Sequence, residues 1–183
     1  APDQRPVVFD YSVIRPAGER LKVFGGVSGG ADPLRHMHTT LRATLARYSG
    51  RMLDTLGLID LFNIVGRCVA AGNVRRSAMV ALGSLDSAEF MDAKNYEKYP
   101  YRAEHGWMSN NSIIGHQGMD YSGVVEHVVS NGEPGIFWLN TAQEYGRMAD
   151  PPSGADARAR GANPCLEQTL EEFELCCLAE NFL

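Results

Sequence analysis

An α/β fold is predicted, and three observations carry the prediction. Two segments hold apolar residues at three- and four-residue spacing, the period of a helix with one buried face. Short runs rich in Val, Ile and Ala lie along the rest of the chain, as buried strands do. Gly, Pro, Asn and Asp separate these runs, so helices and strands alternate rather than segregate.

Taken in order, residues 7–12 (VVFDYS) read as a strand. Residues 15–30 form a loop with five glycines and mixed charges. Asp32 as N-cap and Pro33 at the first helical position then open a helix. It carries Leu34, Met37, Leu41 and Leu45 on one face and ends near Gly50. A second helix is expected from about residue 54 to 71. Its apolar stripe is Leu58, Leu61, Phe62, Val65, Cys68 and Val69, which places Cys68 in the core.

Residues 72–76 make a turn into a strand at 77–82, and a short helix follows at 87–94. A polar, aromatic-rich connection over 95–106 leads to a strand at 112–115. A helix at 121–130 and an apolar strand at 135–139 come next. Residues 151–161 are rich in Pro, Gly and Ala and are expected to be mobile. Residues 175–179 (LCCLA) close the chain as a strand. No internal repeat is present.

Size and charge bound the function. The chain has 183 residues, 44% of them hydrophobic, enough for one sizeable core. A net charge of −5 and a pI near 5.5 argue against a general nucleic-acid binder and against a basic membrane patch. No apolar run approaches the ~20 residues of a membrane span. The amino end has no signal-peptide pattern and no Met, which suggests a processed chain or an excised piece. Four cysteines without framework spacing suit a reducing compartment, so a cytoplasmic location is expected.

The residues with chemistry are Asn163, Pro164, Cys165 and Glu167, with Cys176 eleven positions after Cys165. In an extended segment Asn163, Cys165 and Glu167 point to the same side. Pro164 lacks an N–H and suits a loop, so the thiol is presented rather than buried. A thiol can be a nucleophile, a metal ligand, a disulfide partner or a radical carrier. Glu167 as nearest neighbour disfavours a thiolate. Zn spacing is absent, and the histidines at 36, 38, 105, 116 and 127 are scattered. A radical sulfur beside a carboxylate base makes better sense. A chance Asn-Pro turn with a buried Cys is the plain alternative.

The loop resembles the active-site loop of ribonucleotide reductases, and other stretches follow that family in order. These are RPAGERLKVFGG at 15–26, AGNVRRSA at 71–78, WMSNNSI at 107–113 and NGEPGI at 131–136. The combination is similar to the monomeric, adenosylcobalamin-dependent (class II) ribonucleoside-triphosphate reductases from about residue 7 to 178. The resemblance implies a piece of a ten-stranded α/β barrel and the reduction of ribonucleoside triphosphates to 2′-deoxyribonucleotides. Cys165 would carry a thiyl radical, Glu167 would take the proton of the 3′-OH, and Asn163 would hold the ribose hydroxyls. Cys176, in preference to Cys177, would be a reducing cysteine whose partner lies on a strand outside this chain.

Residues 15–30 and 71–78 would be effector and substrate specificity loops, with Lys22, Arg75 and Arg76 as candidate contacts. By themselves the two arginines read equally as a solvated turn. Ser109 and Asn110 lie on a matching barrel segment and are candidate substrate or effector contacts. Implied partners are the substrate, a deoxynucleoside triphosphate effector, a dithiol or thioredoxin-like reductant, and further segments of a parent enzyme. Corrinoid contacts would fall mostly outside this chain. Two other readings stand beside this one: a reductase whose radical comes from a separate metalloprotein subunit, and an inactive piece that serves only in assembly.

Overall fold

A computed structural model describes residues 7–22, 25–71, 78–146 and 152–177. It is a mixed α/β structure built on a parallel sheet. Helix α1 (Asp32–Arg47) packs against α2 (Thr55–Ala70). Strand β1 (Met79–Gly83) follows, then α3 (Ala88–Met91) and two 3-10 turns, Pro100–Glu104 and Gly106–Met108. Next come β2 (Ser109–Gly115), α4 (Ser122–Asn131), β3 (Gly135–Trp138) and α5 (Leu139–Tyr145). A short antiparallel hairpin, β4 (Gly161–Ala162) with β5 (Thr169–Leu170), ends the described fold.

The sheet has the order β1-β2-β3, with both pairs parallel. Met79 pairs with Ser109, and Ser112 pairs with Gly135. Parallel pairing needs crossovers, which α3 with the 3-10 turns and α4 supply. Ile113 at the centre of β2 is fully buried against Ile59, Phe90, Met91 and Val124. None of the helices among the described residues is long and apolar enough to cross a membrane.

Several elements differ from expectation. Residues 7–11 are not a strand. Phe9 stacks on His38 at 4.0 Å and the Tyr11 hydroxyl meets His38 Nδ1 at 2.7 Å, so this stretch lies on α1 instead of entering a sheet. Helix α1 begins one residue earlier than Asp32 as N-cap implies: Ala31 is the cap, without a side-chain bond, and Asp32 and Pro33 are inside the first turn. Of its expected face Leu45 is half exposed, and the buried residue is Thr44.

Asp54 does cap α2, accepting from Gly57 N–H at 2.7 Å. The buried face of α2 is not the expected one, however. Leu58, Phe62, Val65 and Val69 are all exposed, while Leu56, Ile59, Asp60, Asn63 and Ile64 are buried. Apolarity alone selects the wrong side here, because the inward side carries polar groups whose partners come from distant sequence. Cys68 is half-buried, and burial pushes its thiol pKa up.

The strands at 79–83 and 109–115 and the helix at 122–131 appear as expected, give or take a few residues. Helix α5 and the β4–β5 hairpin were not foreseen. Residues 152–160 are not a bare linker: Asp156 and Ala159 are buried, and Arg160 N–H donates to Leu170 O at 2.9 Å. Residues 174–177 are exposed and irregular rather than a strand, and 178–179 lie outside the described residues.

Candidate active site

The site is the turn that joins β4 to β5. Asn163 N–H donates to Gln168 O at 3.0 Å, and Gln168 N–H returns to Asn163 Oδ1 at 3.1 Å. Leu166 N–H donates to Asn163 O at 2.9 Å, closing a tight turn around Pro164 and Cys165. Leu166 has φ of 64°, a left-handed conformation that a branched side chain adopts only at a cost of about 1–2 kcal/mol. The chain therefore reverses immediately after the thiol. The segment is not extended, so simple alternation does not align its side chains.

Closure of the turn nevertheless gathers three of the four expected groups. Asn163 is 6% exposed, and its Nδ2 donates to Glu167 Oε1 in a short hydrogen bond and to Cys176 Sγ at 3.7 Å. Cys165 stands exposed on the same turn. A buried amide thus ties a carboxylate to one thiol, while a second thiol faces outward two residues away.

The turn rests on the sheet. Asn110 of β2 donates from Nδ2 to Pro164 O at 2.9 Å, across 54 residues of sequence. A Cβ on Gly161 would sit 3.2 Å from Leu82 of β1, so β4 lies close on the same face. That face carries Val80, Leu82, Asn110, Ser112 and Ile114 by alternation and register. The opposite face, with Ser109, Asn111 and Ile113, packs against α2 and the 3-10 turns.

Beside the turn is an open cavity of about 360 Å³ lined in part by Asp156, Glu167, Gln168, Thr169 and Glu174. Three carboxylates at one wall suit hydroxyl groups and repel phosphates.

The remaining candidates fall in different places. Lys22 is exposed on the glycine-rich loop, which folds back on itself through Gly18 N–H to Ser28 O at 2.9 Å and Ser28 N–H to Glu19 O at 2.8 Å. Arg75 and Arg76, with the rest of 72–77, lie outside the described residues. Ser109 is 1% exposed, accepts from Asn63 Nδ2 at 3.2 Å and donates to Asn111 Oδ1 at 2.8 Å. Its strand turns it inward toward α2, where it links β2 to that helix. Asn110, one residue on, faces the site. A cavity of about 420 Å³ lies between the start of α1 and the end of α2, lined by Gly29, His36, Arg67, Cys68 and His105 among others. At its mouth Arg67 pairs closely with Glu104, and His36 Nε2 is 2.9 Å from Glu104 Oε1. The Arg67 bond holds the Glu104 carboxyl below its usual range.

Sequence reasoning missed the role of Asp156 and Thr169. Thr169 donates to Asp156 through a short hydrogen bond that pins 152–160 against β5. Their spacing of thirteen residues matches no local period. A corrinoid with its adenosyl arm is larger than the cavity of about 360 Å³ beside the turn, that of about 420 Å³ between α1 and α2, or that of about 580 Å³ along β1. The described residues do not by themselves build a holder for it. No group of three or more His, Cys, Asp or Glu among the described residues is arranged to hold a metal.

The chain is 49% identical, over 96% of its length, to the adenosylcobalamin-dependent ribonucleoside-triphosphate reductase of Euglena gracilis. It is 39% identical, over 99% of its length, to the enzyme of the same name from Lactobacillus helveticus. The matched region is 24% of each relative, so the chain spans about a quarter of their length. No protein-family model matches the chain, and no solved structure matches it significantly. The chain resembles these reductases over nearly its whole length.

Proposed function

We propose that this chain is a catalytic segment of an adenosylcobalamin-dependent ribonucleoside-triphosphate reductase, which makes 2′-deoxyribonucleotides for DNA synthesis. The observation that carries the reading is the Asn163–Glu167–Cys176 cluster beside exposed Cys165, within a chain 49% identical to such an enzyme. The three parallel strands are proposed to be part of a ten-stranded α/β barrel, with the β4–β5 turn on its inner side.

The cofactor supplies radical chemistry when bound by the parent enzyme. The residues of this chain then divide the work. Cys165, as a thiyl radical, takes the 3′ hydrogen of the ribose; S–H and activated C–H bonds are close enough in strength for the transfer to reverse. Glu167 accepts the 3′-OH proton, and the 2′-OH leaves as water on taking a proton from the reducing thiol pair. Asn163 orients Glu167 and the ribose hydroxyls. Cys176 delivers electrons as it forms a disulfide with a cysteine outside this chain, later reopened by a dithiol or thioredoxin-like protein. The acidic wall of the 360 Å³ cavity suits the ribose side of the substrate.

The glycine-rich loop with Lys22 and the segment with Arg75 and Arg76 are proposed to serve effector and base recognition. The 420 Å³ cavity between α1 and α2 is lined by Gly29 of that loop and by Ala71. The chemistry requires reduced thiols, which fits the cytoplasm. The isolated chain is expected to be inactive, since it spans about a quarter of its relatives' length and the corrinoid contacts are expected mostly outside it.

The test is single-turnover reduction of a ribonucleoside triphosphate by the full-length enzyme carrying this segment, with adenosylcobalamin and dithiothreitol. Product with the wild type and none with Cys165→Ser is expected. Product only when a separate metal-containing radical subunit is added would overturn the cofactor assignment and leave Cys165 in place.

A further inference from the structure

We infer that Asn110 is a positioning residue for the Cys165 thiol, acting through the Pro164 carbonyl. The turn around Cys165 is held by three bonds internal to the hairpin: Asn163 N–H to Gln168 O, Gln168 N–H to Asn163 Oδ1, and Leu166 N–H to Asn163 O. These fix the shape of the turn but not its place on the sheet. The Asn110 Nδ2 bond to Pro164 O, at 2.9 Å, supplies that reference. It holds one end of the peptide whose nitrogen belongs to Cys165. Fixing that peptide plane restricts the direction in which the Cys165 Cα–Cβ bond leaves the backbone.

The geometry of β2 explains why this position carries the task. Ser109 and Asn111, on either side, are 1% and 2% exposed; Ser109 Oγ donates to Asn111 Oδ1 and accepts from Asn63 Nδ2. Asn111 N–H also donates to Glu133 Oε2 at 2.9 Å. The strand is therefore anchored on its inner face at the residues before and after Asn110. Its side chain projects from a rigid mount onto the opposite face. A donor is required, because the acceptor is a carbonyl. An aspartate of the same shape has no proton to give at neutral pH.

For activity the inference rests on the proposed reductase reading; for the placement of the turn it does not. Two measurements separate them. Amide hydrogen exchange over 161–170 is compared in the wild-type chain, Asn110→Ala and Asn110→Asp. Loss of one hydrogen bond is expected to speed exchange about fivefold in both variants, with α2 and α4 unchanged. Steady-state kinetics of the same variants are measured in the full-length enzyme. A fall in kcat of about ten- to a hundredfold is expected, with KM within about threefold, because the thiol is misplaced and the substrate contacts are not. Unchanged exchange in both variants overturns the inference. Wild-type behaviour of Asn110→Asp beside a defective Asn110→Ala also overturns it, since shape alone would then suffice. Altered exchange with no reductase activity in the wild type itself would support the placement and count against the reductase reading.

Discussion

Arg102 Nε donates to Asp60 Oδ1 at 2.7 Å, with both side chains at most 1% exposed. The pair ties the middle of α2 to the first 3-10 turn across 42 residues. Arg102 also donates to Ala93 O, and His105 Nε2 lies 3.1 Å from the same Asp60 oxygen without the alignment of a hydrogen bond. Breaking one partner leaves the other charge buried. Asp60→Ala or Arg102→Ala is therefore expected to cost about 3–5 kcal/mol, read by urea unfolding of the chain. A loss below about 1 kcal/mol would show that water reaches the pair.

The cap of α2 carries a pH signature. Burial raises the pKa of Asp54, but the Tyr48 hydroxyl, Gly57 N–H, Arg51 and Arg47 outweigh it and lower it below its ordinary 3.8. The Tyr48 phenol is pushed up to about 12 by its own burial and by this bond. A lowered carboxyl value means that the stabilisation is complete above about pH 4 and is lost as pH falls through the folded-state value. Asp54→Asn keeps the cap and cannot titrate. The Tm difference between wild type and Asp54→Asn should be flat from pH 5 to 8 and shift against the wild type below about pH 4. A constant difference down to pH 2 would refute this.

Two glycines should respond in opposite directions. A Cβ on Gly83 would lie 2.5 Å from the Phe90 ring, whereas one on Gly123 would meet nothing within 4 Å. Gly83→Ala should destabilise by about 1–3 kcal/mol through overpacking. Gly123→Ala, in the first turn of α4, should be neutral or gain about 0.5 kcal/mol. Thermal unfolding of both variants checks the close approach of β1 to α3.

The Asn163 bonds separate geometry from basicity. Glu167→Gln still presents an oxygen to Asn163 Nδ2 but cannot take a proton. In the full-length enzyme it should lower turnover by about 10²-fold or more while leaving exchange protection over 161–170 intact. Asn163→Ala should lower turnover about a hundredfold and also loosen that segment. Equal exchange in the two variants would mean that Asn163 does not hold the turn.

Much was legible in the sequence because it depends on near neighbours. Hydrophobic period located α1 and α2, short apolar runs located β1, β2 and β3, and Asp54 marked the start of α2. Asn163, Cys165, Glu167 and Cys176 stood out by residue type and spacing, and the comparisons bear out the resemblance those motifs carried. The hairpin was not legible, since β4 and β5 are two residues each and carry no periodic signal.

What the tertiary structure decided is which residues meet. The inward face of α2 holds Asp60 and Asn63, whose partners Arg102 and Ser109 lie more than forty residues away. A stripe chosen by apolarity alone misses that face, although Leu56, Ile59 and Ile64 also lie on it. The aligned face expected of an extended Asn163–Glu167 segment does not exist; a reversed turn with Leu166 left-handed brings Asn163 onto Glu167 instead. The seat of the Cys165 turn on Asn110 is likewise a contact between a turn and a strand 54 residues apart in sequence. Local sequence sets the chemistry that each residue carries. Long-range pairing of buried polar groups sets where that chemistry is held, because each must find a partner that only the folded chain supplies.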